Sequence, residues 1–159
     1  MSDDAEMEII TLDALPLFNQ DYENDEPPVV RLFKEKILHA DALFIVTPEY
    51  NYSTSGVLKN AIDWASWPIA SSVFKGKPAA IMGVGGRFGT VRAQQHLRQT
   101  FLYLDVALVT RPEVHVMNAW EKFDSAGNLK DEQTREQIET LVLTLVRKVR
   151  EAKERVATN

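Results

Sequence analysis

The sequence contains no cysteine, and this absence excludes several kinds of chemistry at once. Disulfide bonds, thiolate catalysis and cysteine-bound metal clusters all require that residue. No apolar run approaches the roughly 20 residues of a membrane-spanning helix. The histidines lie far apart in the sequence and show no metal-ligand spacing such as HExxH; they are His39, His96 and His115. The sequence therefore predicts no metal site and no membrane span.

An excess of basic residues is also absent, because the formal net charge is −5. This balance argues against a polyanionic partner such as a nucleic acid or an anionic membrane. The first residues, Met1 to Glu6, lack the basic and apolar regions of a signal peptide, which predicts a cytoplasmic location. The length of 159 residues, 45% of them hydrophobic, fits one domain over 1–159, with residues 155–159 as a frayed tail.

Strand-like apolar runs alternate with helical patterns along the chain. This alternation predicts an α/β fold with a parallel sheet of about four strands and helices on both faces. The predicted strands are Met7 to Leu12, 43–47, 78–83 and 106–110, and the last of these can continue to 116. The predicted helices are 28–39, 56–66, 90–104 and a final helix capped by Asp131, with a long loop over 117–130.

Residues 43–66 are the most informative stretch of the sequence. An apolar run, Leu43 to Val46, leads into a polar and aromatic loop, and a helical pattern begins at Gly56. In an open α/β sheet, ligands bind outside the carboxyl ends of the strands. A loop rich in planar and amide side chains at that place suits a flat, hydrogen-bonding ligand such as a flavin ring. The alternative is an ordinary turn, since Asn and Ser are common turn formers.

The same stretch resembles the signature loop of the NADPH-dependent FMN reductase family, which is flavodoxin-like and includes quinone, chromate and azo-dye reductases. Pro48 to Asn51 (PEYN) and Gly56 to Trp64 (GVLKNAIDW) match the usual pattern. Ser55 differs, because family members usually have proline there, but serine can cap the helix instead. Leu12 to Asp21 and Arg92 to Gln99 also resemble family segments, so the resemblance extends over nearly the whole chain.

The resemblance implies an FMN site formed by two loops. The loop that begins at Pro48 contacts the isoalloxazine ring, with the backbone amides of Tyr50 and Asn51 as the main donors. The loop between Gly83 and Gly89 flanks the other edge of the ring. No catalytic side chain is implied, because the cofactor carries the hydride. The cofactor-binding residues implied in this way are Pro48, Glu49, Tyr50, Asn51, Tyr52, Gly83, Gly85 and Gly86.

The glycine-rich loop has a second interpretation. A glycine-rich turn between a strand and a helix is also typical of a dinucleotide-binding fold. In that fold an acidic residue ends the next strand, whereas Asp105 begins one here, so this interpretation is the weaker. Arg87 and Arg92 can meet an NADPH phosphate or an anionic acceptor, although simple surface solvation explains Arg87 equally well.

One expected unit of the family is missing from the sequence. A flavodoxin-like sheet has five strands in the order 2-1-3-4-5. The family's first strand, its phosphate loop and most of its first helix have no counterpart here. Losing two charge-assisted hydrogen bonds to the FMN phosphate, at roughly 1.5–3 kcal/mol each, weakens binding about 10²- to 10⁴-fold. The chain is then either a fragment, which we favour, or a family member that has lost its cofactor site.

These considerations predict an NAD(P)H-dependent reductase that passes a hydride through FMN to flavin, quinone or similar acceptors, with impaired flavin binding in this chain. Two other hypotheses stay open: a non-catalytic interaction subunit and a flavodoxin-like electron carrier. The resemblance also implies a homodimer or homotetramer. Without the first strand, strand 43–47 would present an open apolar edge, unless strand 7–12 moves across to pair with it.

Overall fold

A parallel sheet built around one central strand organises the fold. The computed structural model describes residues 5–157. Strand β2 (Pro78–Val84) pairs on one side with β1 (Leu43–Val46), from Leu43 opposite Ala79 to Val46 opposite Met82. On its other side β2 pairs first with β3 (Ala107–Leu108) and then with β4 (Val114–Val116). Strands β3 and β4 therefore form two halves of one interrupted edge, in line with the predicted continuation to 116.

Helices connect the strands in the alternating order that the sequence predicts. Their bounds are α1 Pro28–His39, α2 Gly56–Ser66, α3 Val91–Tyr103, α4 Ala119–Lys122 and α5 Glu132–Ala157. Ser55 caps α2, since its side chain accepts from the Leu58 N–H at 3.3 Å. The α/β prediction with helices on both faces is confirmed. The short helix α4 lies inside the segment that was predicted as a loop.

The two faces of the sheet have separate cores. On one face, α1, α2 and α3 pack on the sheet through buried residues such as Phe33, Ile62 and Phe101. On the other face, α5 packs through Leu141 and Leu145. A helix covering a sheet in this way buries one apolar stripe and leaves the rest of its surface to water.

The predicted strand from Met7 to Leu12 is wrong. These residues form no strand, although Ile10 and Leu12 pack against the core that contains α1. An ion pair between Glu8 and Lys36 ties the segment to α1. A strand forms only where a neighbouring edge lies within pairing distance, about 4.8 Å. Here a cavity of about 920 Å³ lies between this segment and β1, so the predicted strand has no partner.

The final helix is longer than the sequence suggested. Asp131 caps it as predicted, since its carboxylate accepts from the Thr134 N–H at 2.9 Å. Helix α5 continues to Ala157, so residues 155–157 are helical instead of frayed, and 158–159 lie outside the described part. Among the helices of residues 5–157, none has the length and apolarity needed to cross a bilayer.

Candidate functional site

The loop after β1 folds into a tight two-residue turn. Tyr50 and Ser53 exchange two backbone hydrogen bonds, of 3.0 and 2.9 Å. Between them Asn51 and Tyr52 have φ values of 49° and 63°. Positive φ at both central residues is the mark of a type I′ turn, which reverses the chain sharply. The turn presents both tyrosines to solvent at the carboxyl end of β1, with exposed fractions of 62% and 65%.

The turn decides which backbone donors remain available. The Tyr50 N–H, which the sequence analysis expects to serve a ligand, is bonded to the Ser53 carbonyl within the turn. The Asn51 N–H, by contrast, has no hydrogen-bond partner within residues 5–157. Pro48 is exposed, and its carbonyl accepts from the Thr47 hydroxyl at 2.8 Å. Asn51 is thus the amide of this loop that can bind a ligand.

The Glu49 carboxylate is bound to the start of α3. It accepts from the backbone N–H groups of Arg92 and Ala93, at 2.9 and 3.2 Å, and from the Arg92 guanidinium at 3.0 Å. Thr90, which precedes the helix, supplies no side-chain cap. Burial alone raises the pKa of Glu49, but these hydrogen bonds outweigh it and hold the pKa below its ordinary value. Glu49 therefore caps α3 from another loop.

Arg92 joins the two loops through aromatic contacts. Its guanidinium lies 3.9 Å from the centre of the Tyr52 ring and 4.9 Å from the centre of the Phe88 ring. Such cation–π contacts contribute about 0.5–1 kcal/mol each at exposed sites. Arg92 also binds Glu49, so Arg92 is the residue that holds the rim of the candidate site together. Arg87, by contrast, is exposed.

Two of the predicted glycines are required by the protein's own packing. A methyl group at Gly83 would collide with the Thr90 hydroxyl and the Thr47 carbonyl, and Gly83 itself is buried. A methyl group at Gly85 would collide with the Gly89 carbonyl. At Gly83, protein atoms fill the space that a side chain would take, so the glycine there serves the packing of the loop.

Gly86 has a different environment. A methyl group there would meet only the Trp120 ring, at the ordinary distance of 3.9 Å. The Gly86 carbonyl accepts from the Gly89 and Asn118 N–H groups, at 3.0 and 2.9 Å, which fixes the loop. The N–H groups of Gly86 and Arg87 have no hydrogen-bond partner within the described residues. These amides, with that of Asn51, are donors at the carboxyl edge of adjacent parallel strands.

Two residues that the sequence analysis did not assign to the site hold neighbouring segments in place. His96 accepts or donates a hydrogen bond of 2.9 Å with the Ser53 hydroxyl, which fixes the end of the turn against α3. Asn60 on α2 accepts from the Phe18 N–H at 2.7 Å and donates to the Pro16 carbonyl at 2.9 Å. Through these two hydrogen bonds the Asn60 side chain holds the segment before α1 against α2.

Comparison with known proteins identifies the family of this chain. A model of the family of NADPH-dependent FMN reductases matches residues 1–121. The chain belongs to that family. It is 53% identical over 135 residues to an NAD(P)H-dependent FMN reductase from Pseudomonas aeruginosa, covering 84% of this chain and 72% of that protein. A 2-hydroxy-1,4-benzoquinone reductase from Burkholderia is 46% identical over 140 residues, covering 87% of this chain and 76% of that protein.

A solved structure supports the same assignment. The flavoenzyme NAD(P)H:(acceptor) oxidoreductase from Paracoccus denitrificans superposes with a TM-score of 0.80 at 33% identity, covering 92% of this chain and 81% of that one. The flavodoxin-like fold and the predicted family are therefore confirmed. This FMN reductase family member is an oxidoreductase, and its family uses FMN with NAD(P)H as co-substrate and small-molecule acceptors.

The described residues fit a flavin ring better than they fit a phosphate. Unpartnered N–H groups at Asn51, Gly86 and Arg87 can donate to a planar heterocycle, and the FMN reductase loops bring them to one edge of the sheet. A phosphate normally binds at a helix N-terminus. The N-terminal amides of α3 are already bonded to Glu49, and Ser55 caps α2.

Proposed function

We propose that this chain catalyses NAD(P)H-dependent reduction of a quinone or free flavin, with FMN held between the loop 47–55 and the loop 83–89. The observation that carries the proposal is the set of unpartnered N–H groups on both loops, at the carboxyl ends of adjacent parallel strands. Names of the similar proteins support the choice of acceptor, since they include FMN and benzoquinone reductases.

The protein's part in this reaction is binding and orientation. Asn51, Gly86 and Arg87 donate backbone hydrogen bonds to the edge of the ring. Tyr50 and Tyr52 offer exposed aromatic surface beside it. FMN, when bound there, would supply the hydride-transfer chemistry between NAD(P)H and the acceptor, so no acid or base side chain is required. The Arg92 contacts with Tyr52 and Phe88 keep the rim in place.

We propose that this chain binds FMN weakly, because side chains of the protein, Ser55 and Glu49, already cap the N-termini of α2 and α3. Titrations of FMN and riboflavin test this point. If the phosphate is not bound, the two dissociation constants agree within about threefold, whereas two charge-assisted hydrogen bonds would separate them about 10²- to 10⁴-fold. A sub-micromolar dissociation constant for FMN would contradict the proposal.

Steady-state NADPH oxidation with saturating FMN and benzoquinone tests the activity itself. The variant Gly86→Leu places a side chain over the proposed ring site and should lower the rate about tenfold or more, with little change in Tm. Ala126→Leu, in an exposed turn, is the matched control and should leave the rate unchanged. Flavin binding without NADPH oxidation would indicate an electron carrier. The absence of both flavin binding and NADPH oxidation would indicate a non-catalytic subunit.

The chain is proposed to be a single cytoplasmic domain, 1–159, that forms a homo-oligomer. Exposed apolar side chains at the end of α3 support the last point, since Leu102 and Tyr103 are 81% and 74% exposed. Large exposed apolar patches commonly mark protein interfaces. Light scattering of the wild type and of Leu102→Lys tests this: the wild type should be a dimer or larger, and the variant should dissociate.

A further inference from the structure

Trp120, on the short helix α4, is 67% exposed. The other two tryptophans differ from it, because Trp64 and Trp67 both contact the Phe18 ring. Within residues 5–157, no aromatic ring and no cation lies against the Trp120 indole. Burial of an indole is strongly favourable, so an exposed tryptophan without a partner is typical of a surface that contacts a ligand.

The backbone fixes the position of Trp120, because α4 is held at both ends. At its start, two backbone N–H groups donate to carbonyls of the loop 83–89, at 2.9 and 3.0 Å. At its end, Lys122 pairs with Asp131 at 2.7 Å. Since these bonds set the position of the helix, the indole stays beside the loop 83–89 without contacts of its own to hold it.

The indole lies next to Gly86, whose N–H is one of the unpartnered donors of the candidate site. A methyl group at Gly86 would lie 3.9 Å from the Trp120 ring, so the space between the two residues holds about one methyl group. An aromatic ring between them would need about 3.5 Å on each of its sides, which is more than this space offers. A flavin that accepts from the Gly86 N–H therefore lies beside the indole, and the exposed face of the indole is open to a second ring.

Of the two rings that exchange a hydride at this site, the acceptor suits the indole better. An indole is an electron-rich aromatic ring, and it stacks favourably on an electron-poor planar ring such as a quinone. The reduced nicotinamide of NAD(P)H is neither aromatic nor electron-poor. A quinone is also uncharged, so it requires no counter-charge from the charged neighbours of Trp120: Arg87 and Glu121 are exposed to water, and Lys122 is paired with Asp131.

Building on the proposed function, we infer that Trp120 stacks on the ring of a planar, electron-poor acceptor and determines the specificity for it. Trp120 thereby selects fused-ring quinones over acceptors that have no planar ring, such as ferricyanide. In the reduction, NAD(P)H supplies the hydride and solvent supplies one proton, which together convert the quinone to the hydroquinone. Trp120 exchanges neither electrons nor protons, and its part is to hold the acceptor ring.

Calorimetric titration of naphthoquinone into the full chain, with saturating FMN and no NADPH, measures acceptor binding without turnover. Trp120→Ala should weaken naphthoquinone binding about tenfold, the size expected for the loss of one aromatic stack. Trp120→Phe keeps an aromatic ring, and its dissociation constant should lie within about threefold of the wild-type value. Glu121→Ala removes an exposed side chain from the same helix and is the matched control, which should change the dissociation constant by less than about twofold.

Steady-state kinetics of the same variants test the selectivity. In Trp120→Ala the KM for naphthoquinone should rise about tenfold, whereas the KM for NADPH and the rate with ferricyanide should stay within about twofold of wild type. Equal naphthoquinone constants in wild type and Trp120→Ala would overturn the inference. A rise in the dissociation constant of FMN or in the KM for NADPH instead would also overturn it, because the indole would then contact the flavin or the nicotinamide.

The inference and the proposed function fail in different measurements. If the wild type oxidises NADPH with neither acceptor, the proposed function is wrong, and the calorimetric titration still decides whether Trp120 binds a quinone ring. A wild type that binds no naphthoquinone would overturn the inference. So would a homo-oligomer that dissociates in Trp120→Ala, measured by light scattering, because the indole would then belong to a contact between subunits.

Discussion

Glu49 accepts hydrogen bonds from both the backbone N–H and the guanidinium of Arg92, which lies 43 residues further along the chain. One carboxylate thereby joins the end of β1 to the start of α3. Because Arg92 also contacts Tyr52 and Phe88, the position of the loop 47–55 and of the loop 83–89 depends on this pair.

Replacing this carboxylate by its amide should destabilise the protein. Glu49→Gln keeps one oxygen acceptor but loses the charge at the α3 N-terminus and the ion pair with Arg92. We expect the free energy of unfolding to fall by about 1–2 kcal/mol. Urea denaturation measures the change. Glu139→Gln, on the exposed surface of α5, is the control and should alter stability by less than about 0.5 kcal/mol.

The contact between Glu49 and Arg92 predicts that the stability of the fold depends on pH. The pKa of Glu49 is lower in the folded state than its ordinary value of 4.5, because hydrogen bonds from Ala93 and Arg92 outweigh burial. Its contribution is therefore complete above pH 4.5 and is lost as the pH falls through the folded pKa. The stability difference between wild type and Glu49→Gln should be constant near neutral pH and shrink in acid. A difference that grows on acidification would show the opposite linkage.

Gly83 should tolerate no side chain. Gly83→Ala forces a methyl group against the Thr90 hydroxyl and the Thr47 carbonyl, and overpacking of this kind costs about 1–3 kcal/mol or more. Gly56→Ala is the matched control, because no atom lies within 4 Å of the added methyl group. Since Gly56 is helical, its replacement by alanine should be neutral or slightly stabilising. In thermal unfolding, the Tm of Gly83→Ala should fall clearly, whereas the Tm of Gly56→Ala should stay unchanged or rise slightly.

The cap of α2 can be tested with two changes at one position. Ser55→Ala removes the acceptor for the Leu58 N–H and should cost about 1 kcal/mol. Ser55→Pro also removes it, but the φ of −64° at this residue suits proline. Proline also restricts the conformations of the unfolded chain, which stabilises the folded state by about 0.4–1 kcal/mol. We expect the proline variant to be the more stable of the two in denaturant titrations, and the reverse order would exclude this explanation.

Asp131 should titrate well below its usual range. The Lys122 ammonium at 2.7 Å and the Thr134 hydroxyl and N–H lower the pKa of its carboxyl to about 2. The sign follows from the depressed value: the cap stabilises the fold above the ordinary pKa of 3.8 and is lost as the pH falls towards 2. NMR of the Asp131 carboxyl carbon measures the midpoint, which should rise towards 3.8 in Lys122→Ala.

Local patterns in the sequence were sufficient for elements whose determinants lie close together in the chain. The run of Leu43 to Val46, the Ser55 cap and the α2 pattern are contiguous, so their order alone predicts strand, loop and helix. Asp131 likewise lies three residues before the amide that it caps. The carboxyl-edge position of the PEYN loop follows from the same short stretch.

Elements that depend on distant partners could not be predicted in this way. The apolar residues of Met7 to Leu12 predict a strand, but strand formation also requires an edge to pair with, and within residues 5–157 this segment pairs with none. The use of Glu49 as a cap depends on a helix 43 residues away. The turn at Asn51 and Tyr52 contains no glycine; asparagine tolerates a positive φ, but nothing in the sequence indicates one at Tyr52.

Strand β2 has a consequence for how the molecule comes apart. Every other strand of the described region joins the sheet only through β2, whose first six residues are buried. Loss of β1 or β3 would leave the remainder of the sheet connected, whereas separation of β2 would leave no two strands in contact. The amides of Ala80 and Ile81 should therefore be the last to exchange with deuterated solvent, and their exchange should report global unfolding.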